Sequence, residues 1–523
     1  MPVEFLSTVF VFLGFLAFAA KRLLTYLHML QQEDYFNDRL LQWVFKYKVF
    51  DSRMSAILLA LGVVFFFIPA FFTNFLVFFF MLAIAYIEKD PRKDSKKKLM
   101  FTLRAKRIFF TALGYCAVSA LWVFLTPLPW LWIICVQLIP LFLVLGNLTL
   151  QPYEKKVQRE YWMEAHQKLQ RLRPVVVGIT GSYGKTSVKH ILGHILKSHA
   201  PTLITPGSVN TPMGITRIIR EQLDESHKYF VVEMGAYGPG SIQRLCDLAP
   251  PDFGVITAIG HAHYERFKSL ESVAHTKYEL AEAVLNKKGK MIIHERTLRF
   301  DHARDVRARD PKAFIVCGEP PTLDMQKRHD PSYLGVGDLQ IRDISQYPHG
   351  LEVQINWNEA VYVLEAPLYG FHHGHNMALA FACAVTMGIP AIDVVNALKT
   401  VPQIEHRLEV KRQSDGLTVI DDAYNSNPLG FKAALDLMAL INAEARKILI
   451  TPGMVELGHA HDEAHDTIGQ YAGRVCDIAV IVKGERIPTF FQGFLKTGGG
   501  KALVEVDTFA EAAEWLQANK RVG

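Results

Sequence analysis

The chain is poor in the features that mark a disulfide-built or zinc-built protein. Its six cysteines, Cys116, Cys135, Cys246, Cys317, Cys383 and Cys476, are scattered, and no two have C-x-x-C spacing. That excludes a disulfide framework and a cysteine zinc site, and it fits a reducing compartment. No basic head precedes the first apolar run, and apolar segments recur over the first 150 residues, so the N-terminus does not read as a cleaved leader. Internal repeats and low-complexity tracts are also missing. The formal charge of +6 is modest for 523 residues, and no nucleic-acid partner is expected.

What is abundant is apolar surface. Half of the residues are hydrophobic and the mean hydropathy is slightly positive. The excess lies at the front, in Phe5 to Ala20, Ala56 to Ile87, Ile108 to Thr126 and Trp130 to Leu148. As one helix the second run would reach ~48 Å, against a hydrocarbon core of ~30 Å. Pro69, Thr73 and Asn74 fall near its middle, so it reads as two short spans joined by a turn. Five spans are expected in all. The Lys- and Arg-rich stretches Glu88–Arg107 and 151–173 place their flanks in the cytoplasm by the positive-inside rule. They also present cations to anionic lipid head groups. The expected location is a bacterial inner membrane, multi-pass, with the remaining domains in the cytoplasm. Membrane lipid is an expected partner.

From Pro174 onward the pattern becomes α/β. "PVVVGIT", "YFVVEM" and "FGVITAI" read as strands, each followed by a helical stretch, which indicates a parallel sheet. "LEVQINW" and "AVYVLEA" alternate with period two and read as a small antiparallel addition. After Arg407 the rhythm restarts with "TVIDD", "RKILITP" and "CDIAVIVKG", as in a Rossmann-like domain. The expected architecture is therefore a transmembrane region over 1–150, a basic helical linker over 151–173, a P-loop α/β domain over 174–403 and a second α/β domain over 404–523.

One more absence is instructive. "GITGSYGKTSVKH", Gly178 to His190, follows a strand and opens a helix, yet a P-loop G-x-x-x-x-G-K-[ST] would need glycine where Ile179 stands. The context is still that of a phosphate cradle formed by Thr180, Gly181, Ser182, Tyr183, Gly184, Lys185, Thr186 and Ser187. Backbone N–H groups at a helix start face the anion, Lys185 reaches the outer phosphates and the Thr186 hydroxyl suits Mg²⁺. Glu233 ends the next strand at the same sheet edge, where it suits a metal or, as the plain alternative, a helix cap.

The variant T-G-S-x-G-K-T resembles that of the Mur ligase family, the ATP-dependent amide ligases of peptidoglycan synthesis. Further motifs follow in the family's order. "EMGAYGPGSI", "PDFGVITAIGHAHYE" and "HTKYEL" resemble the central domain of the branch that adds D-alanyl-D-alanine. "GFHHGHN" resembles its G-x-H-N, "HRLEV" its G-R-x-E, "DDAYNSNP" its D-D-x-Y-N-x-N-P and "GMVELG" its G-x-M-x-E-L-G.

The resemblance covers about Val175 to the C-terminus. It implies a reaction in which ATP phosphorylates a carboxylate and an amine then displaces the phosphate. It also implies two Mg²⁺ ions, held by Thr186, Glu233 and His263, and a carbamylated Lys277 whose anionic carbamate helps position metal. By the same resemblance Asn376 contacts adenine, Arg407 reaches the phosphates, Asp422 holds the ribose, and Tyr424 and Asn425 line the cleft. The implied partners are ATP, a peptide-bearing carboxylate on a nucleotide or a lipid, and an amino acid or D-alanyl-D-alanine.

Two positions depart from the family pattern. Ala258 stands where the family has asparagine, and His406 replaces the glycine of G-R-x-E. The N-terminal spans stand where the family carries a small UDP-gripping domain. Other readings are a membrane synthetase of the poly-γ-glutamate type, an ATP-driven transporter, and a scaffold that keeps the fold without catalysis. The transporter lacks an ABC-type signature, and its metal strand would end in Asp rather than Glu233. The scaffold rests on Ala258 alone.

Overall fold

The computed structural model describes residues 2–33, 35–47, 52–64, 67–88, 90–93, 98–126, 131–260, 267, 269–319, 337–414, 416–423, 428–441, 445–454 and 457–519. They fall into two compact units, Met1–Glu160 and Tyr161–Gly523.

The first unit is helical. Its elements are α1 (Pro2–Gln32), α2 (Asn37–Tyr47), α3 (Ser52–Val64), α4 (Ala70–Ile87), α5 (Leu103–Phe124) and the start of α6 (Leu131–Leu172). Among the described residues, four helices are long and apolar enough to cross a membrane, over Val3–Gln32, Ala70–Ile87, Leu103–Phe124 and Leu131–Leu172. The expected fifth span corresponds to α3, whose 13 residues reach only ~20 Å and fall short of the hydrocarbon core. The break in the long apolar run comes at Pro69, which caps α4. Thr73 and Asn74 lie inside α4, and the Asn74 amide is satisfied there by the Ser7 hydroxyl at 3.1 Å.

The unit is apolar inside and outside. Phe15, Phe18, Leu27, Ala112 and Cys116 form its core, while Phe72, Phe79, Phe110, Trp122 and Leu125 are exposed. Helices that are apolar all round are the kind that fill a large core or span a membrane. Close approach of α5 and α6 depends on Gly146, where a Cβ would sit 3.2 Å from the Ala112 nitrogen. One helix, α6, carries both the last apolar run and the basic stretch after it.

The second unit holds a nine-stranded sheet in the order β2-β3-β1-β4-β5-β6-β7-β8-β9. Strands β1 (Val175–Thr180), β2 (Thr202–Ile204), β3 (Tyr229–Glu233), β4 (Phe253–Ile256), β5 (Lys290–His294) and β6 (Phe314–Gly318) are parallel. The antiparallel addition is β7 (Leu339–Tyr347), β8 (Gly350–Trp357) and β9 (Ala360–Ala366). Helices pack on both faces. On one, α7 (Lys185–His199) and a helix over Phe371–Thr386 bury Ile191, Leu192, Ile195, Met377 and Phe381. On the other, helices over Pro212–Gln222, Ser241–Leu248 and Leu270–Asn286 bury Ile215, Ile219, Leu245, Tyr278 and Leu280.

After Arg407 the strands form two ladders. Ile448–Thr451, Ile478–Val482 and Ala502–Val506 make a parallel sheet of three strands. "TVIDD" does not open that sheet. Its strand Thr418–Asp421 pairs antiparallel with Glu409–Arg412, and the Gln413 N–H donates to the Leu417 carbonyl at 2.8 Å.

Candidate active site

Strand β1 lies between β3 and β4, where the strand order reverses. In an open parallel sheet the crevice beyond the strand ends at such a point is the ligand site. The chain leaves β1 at Thr180 and re-enters structure at Lys185, the first residue of α7.

Two glycines make that turn. Gly184 is the helix cap at φ +82°, with the Asn376 side chain so close that a Cβ would sit 2.6 Å from its Oδ1. Gly181 has φ +155°, and a Cβ there would fall 1.9 Å from the Thr257 hydroxyl oxygen. Gly181→Ala should therefore cost at least about 1–3 kcal/mol of stability from overpacking. It should also weaken nucleotide binding, because the loop must move aside. Thermal unfolding and titration with a fluorescent ATP analogue check both expectations.

The hydroxyls of the loop are used to shape it. Thr180 donates to the Met234 carbonyl at 3.0 Å. Ser182 donates to the Gly260 carbonyl at 3.0 Å and accepts from the Gly260 N–H at 2.9 Å. The Ser182 N–H donates to the carbonyl of Ala258 at 2.6 Å, so the position where the family has asparagine still holds the loop through its backbone. Thr257 donates to the Tyr183 carbonyl. Ser187 is buried in the first turn of α7 and Tyr183 is exposed.

The lysines behave differently from solvated helix lysines. Lys185 folds back on its own loop, donating to the carbonyls of Gly181 at 2.8 Å and Ser182 at 3.3 Å. Burial holds its pKa below the ordinary lysine value, against the opposing pull of Glu233. Lys277 is buried and lines the same small cavity as Gly181, Lys185 and Asn210. Burial, then the like charge of Lys185, pushes its pKa well below the usual value. Two residues further on, Glu279 caps the helix over Ser241–Leu248, accepting from the N–H groups of Gly240 at 2.6 Å and Gln243 at 2.9 Å.

Glu233 ends β3 beside the loop and is 1% exposed. Its carboxylate accepts from Lys189 Nζ at 3.0 Å and from Asn210 Nδ2 at 3.1 Å. Asn210 in turn accepts from the Tyr237 hydroxyl at 2.8 Å. Neither Lys189 nor Asn210 stood out in the sequence. The one available signal was spacing, since Lys189 lies four residues after Lys185 and shares its helix face.

The segment after Val401 reaches this loop. Arg407 Nη2 donates to Thr186 Oγ1 at 3.3 Å. The flanking residues His406 and Leu408 have φ of +57° and +50°. That accounts for the family glycine at the position of His406, since a left-handed backbone favours glycine. Here the His406 ring is instead held by Asp421 at 2.8 Å. Asp422 accepts from the Leu408 N–H at 3.2 Å, and burial pushes its carboxyl up to about 6. Asn376 is buried against Gly184, and its Nδ2 has no hydrogen-bond partner among the described residues. His375 beside it bridges Glu319 at 3.1 Å and His294 at 3.3 Å. His263, Tyr424 and Asn425 lie outside the described residues.

The cluster therefore offers a glycine cradle at a helix start, two lysines, an arginine from a different segment and an amide left open beside the loop. That set fits a nucleoside polyphosphate, and the buried Glu233 carboxylate with the Thr186 hydroxyl fits a hard divalent cation.

Residues 179–384 match the profile of the Mur ligase middle domain, and residues 406–522 match that of the Mur ligase glutamate ligase domain. The UDP-N-acetylmuramoyl-tripeptide–D-alanyl-D-alanine ligase of Mycobacterium tuberculosis is 30% identical over 336 residues, covering 62% of this chain and 61% of its own length. The Mycobacterium leprae enzyme of the same name is 30% identical over 378 residues, covering 66% of this chain and 69% of itself. A crystal structure of MurF from Acinetobacter baumannii superposes with a TM-score of 0.59 at 26% identity, covering 69% of this chain and 73% of that one. The chain belongs to the Mur ligase family. It spans about three-fifths of the length of the M. tuberculosis relative.

Proposed function

We propose that the protein is a membrane-anchored, ATP-dependent amide ligase acting on a peptide-bearing carboxylate in cell-wall synthesis. The observation that carries this reading is that Arg407, from a separate segment, meets Thr186 at the loop whose Lys185 shares a cavity with the buried amine of Lys277. The reaction joins two anions, a carboxylate and the γ-phosphate of ATP, so cations must lower their mutual repulsion. Lys185 and Arg407 supply two of them. The carboxylate oxygen attacks the γ-phosphorus and the bond to ADP breaks, which leaves an acyl phosphate. The amine then attacks the carbonyl carbon, phosphate departs and the amine proton passes to solvent. Asn376, with donor and acceptor on one amide, suits the adenine edge.

Thr186 and Glu233, with His263 from the motif, would hold Mg²⁺, which neutralises phosphate charge when bound. A carbamate on Lys277 would add an anion on the same side. The family relation and the apolar helices support D-alanyl-D-alanine as the amine and a cytoplasmic-membrane setting.

Asp422 gives this reading a pH signature. Burial pushes its carboxyl up to about 6, and only the ionised form accepts hydrogen bonds from the ribose with both oxygens. The apparent KM for ATP should rise as pH falls through about 6, and Asp422→Asn should flatten that profile.

The test of the function is phosphate release by the purified protein in detergent with ATP and Mg²⁺. One arm supplies UDP-muramoyl tripeptide with D-alanyl-D-alanine, the other a membrane lipid extract with the same dipeptide. Release that needs both the nucleotide-linked peptide and the dipeptide identifies a soluble carboxylate donor. Release confined to the lipid arm identifies a lipid-linked one. Release indifferent to every acceptor sinks the ligase reading.

A further inference from the structure

Lys189 leaves the same face of α7 as Lys185, one turn further on. Its side chain is 3% exposed, and its Nζ lies 3.0 Å from Glu233 Oε2, whose side chain is 1% exposed. The same ammonium donates to the Gly207 carbonyl. The other carboxylate oxygen takes the Asn210 amide at 3.1 Å, and the Glu233 N–H is satisfied by the Thr205 hydroxyl at 3.1 Å. Every polar group of Glu233 that faces the 205–210 loop or α7 thus has a partner. A carboxylate this buried would be costly without its cation. A divalent ion arriving at Glu233 would share that carboxylate with an ammonium already hydrogen-bonded to it.

We propose that Lys189 is a resident counter-cation of Glu233, a positioning residue that holds the carboxylate in place and weakens its grip on the divalent cation. The proposal rests on reading Glu233 as a ligand of that cation. Its physical content is competition. While Lys189 stays, the two positive charges repel at short range. If Lys189 withdraws, its bonds to Glu233 and Gly207 are lost. Either way the cation binds less tightly than the buried carboxylate alone would allow, and it can leave with the spent nucleotide.

The test uses the full chain in detergent, with Mn²⁺ as the probe and a non-hydrolysable ATP analogue, and reads protein-bound Mn²⁺ by electron paramagnetic resonance. No carboxylate substrate or turnover is needed. Lys189→Met should bind Mn²⁺ about tenfold more tightly than the unaltered protein, a modest share of the repulsion between neighbouring charges. Lys189→Gln, which keeps a donor for the Gly207 carbonyl, should shift in the same direction and serves if the methionine variant does not fold. In a Glu233→Gln background the Lys189 substitution should no longer matter. A merely structural lysine would give weaker binding when removed, so unchanged or weaker Mn²⁺ affinity in the folded variants overturns the proposal. Failure of the unaltered protein to bind Mn²⁺ with nucleotide overturns the metal reading of the site as well, and so separates the two failures.

Discussion

Replacement of Lys185 by alanine should reduce ATP turnover by about 10³-fold or more, while the protein stays folded. Removing a single preorganised donor from a site of developing negative charge costs ~10²–10³ in rate, and Lys185 carries a full charge. The ammonium is held over the loop by the Gly181 and Ser182 carbonyls, so it is already positioned before any phosphate arrives. Its removal opens space in a cavity walled by Lys277 and Asn210, which is no part of the main cores. The expected result is a loss of rate with little change in melting temperature. Steady-state ADP release together with thermal unfolding separates that from a folding defect.

The second large effect is expected at Arg407. This guanidinium comes from beyond Val401 and touches Thr186 across the phosphate loop. Arginines that complete a phosphoryl-transfer site from another segment are worth ~10³–10⁵ in kcat. Arg407→Ala should lower kcat by about 10³ and change nucleotide affinity much less, because the cradle of Gly181, Gly184 and Lys185 remains. Arg407→Lys should recover only part of the loss, since an ammonium cannot present the planar fork. The readout is kcat for ADP release against binding of a fluorescent ATP analogue. Equal loss of binding and rate would mean that Arg407 grips the ground state.

Much of this site could be read from the chain because its chemistry follows strand–turn–helix grammar. The run "VVVGIT" before "GSYGKTS" located the loop, and the strand end located Glu233 beside it. The parallel strands and the antiparallel addition were legible for the same reason, as period and flanking turns announce them. What stayed hidden was what each polar group touches. Thr180 and Ser182 are expected in the phosphate cradle, and the sequence does not reveal that their hydroxyls bond the backbone of neighbouring loops. Lys189 drew no attention in the sequence, because nothing local reveals that β3 ends in a buried carboxylate opposite it.

His406 looked like a loss of the family glycine, and only the backbone angle shows that a left-handed residue is needed there. Among the described residues, α3 is shorter than the fifth span that the sequence suggests. The long apolar run breaks at Pro69, but Thr73 and Asn74 continue into the following helix, since Asn74 finds a partner within the bundle. "TVIDD" had the composition of a sheet strand, and it pairs antiparallel with Glu409–Arg412 rather than joining the three-stranded parallel sheet.

Under the proposed function, ATP is spent to activate a carboxylate. The most direct measurement follows oxygen. The substrate carboxylate, from whichever source supports turnover, is enriched in ¹⁸O, and the phosphate released with ADP is analysed by mass spectrometry. One labelled oxygen should appear in phosphate for each amide formed. Released phosphate free of the label, alongside amide formation, would contradict an acyl phosphate and with it the proposed chemistry of this site.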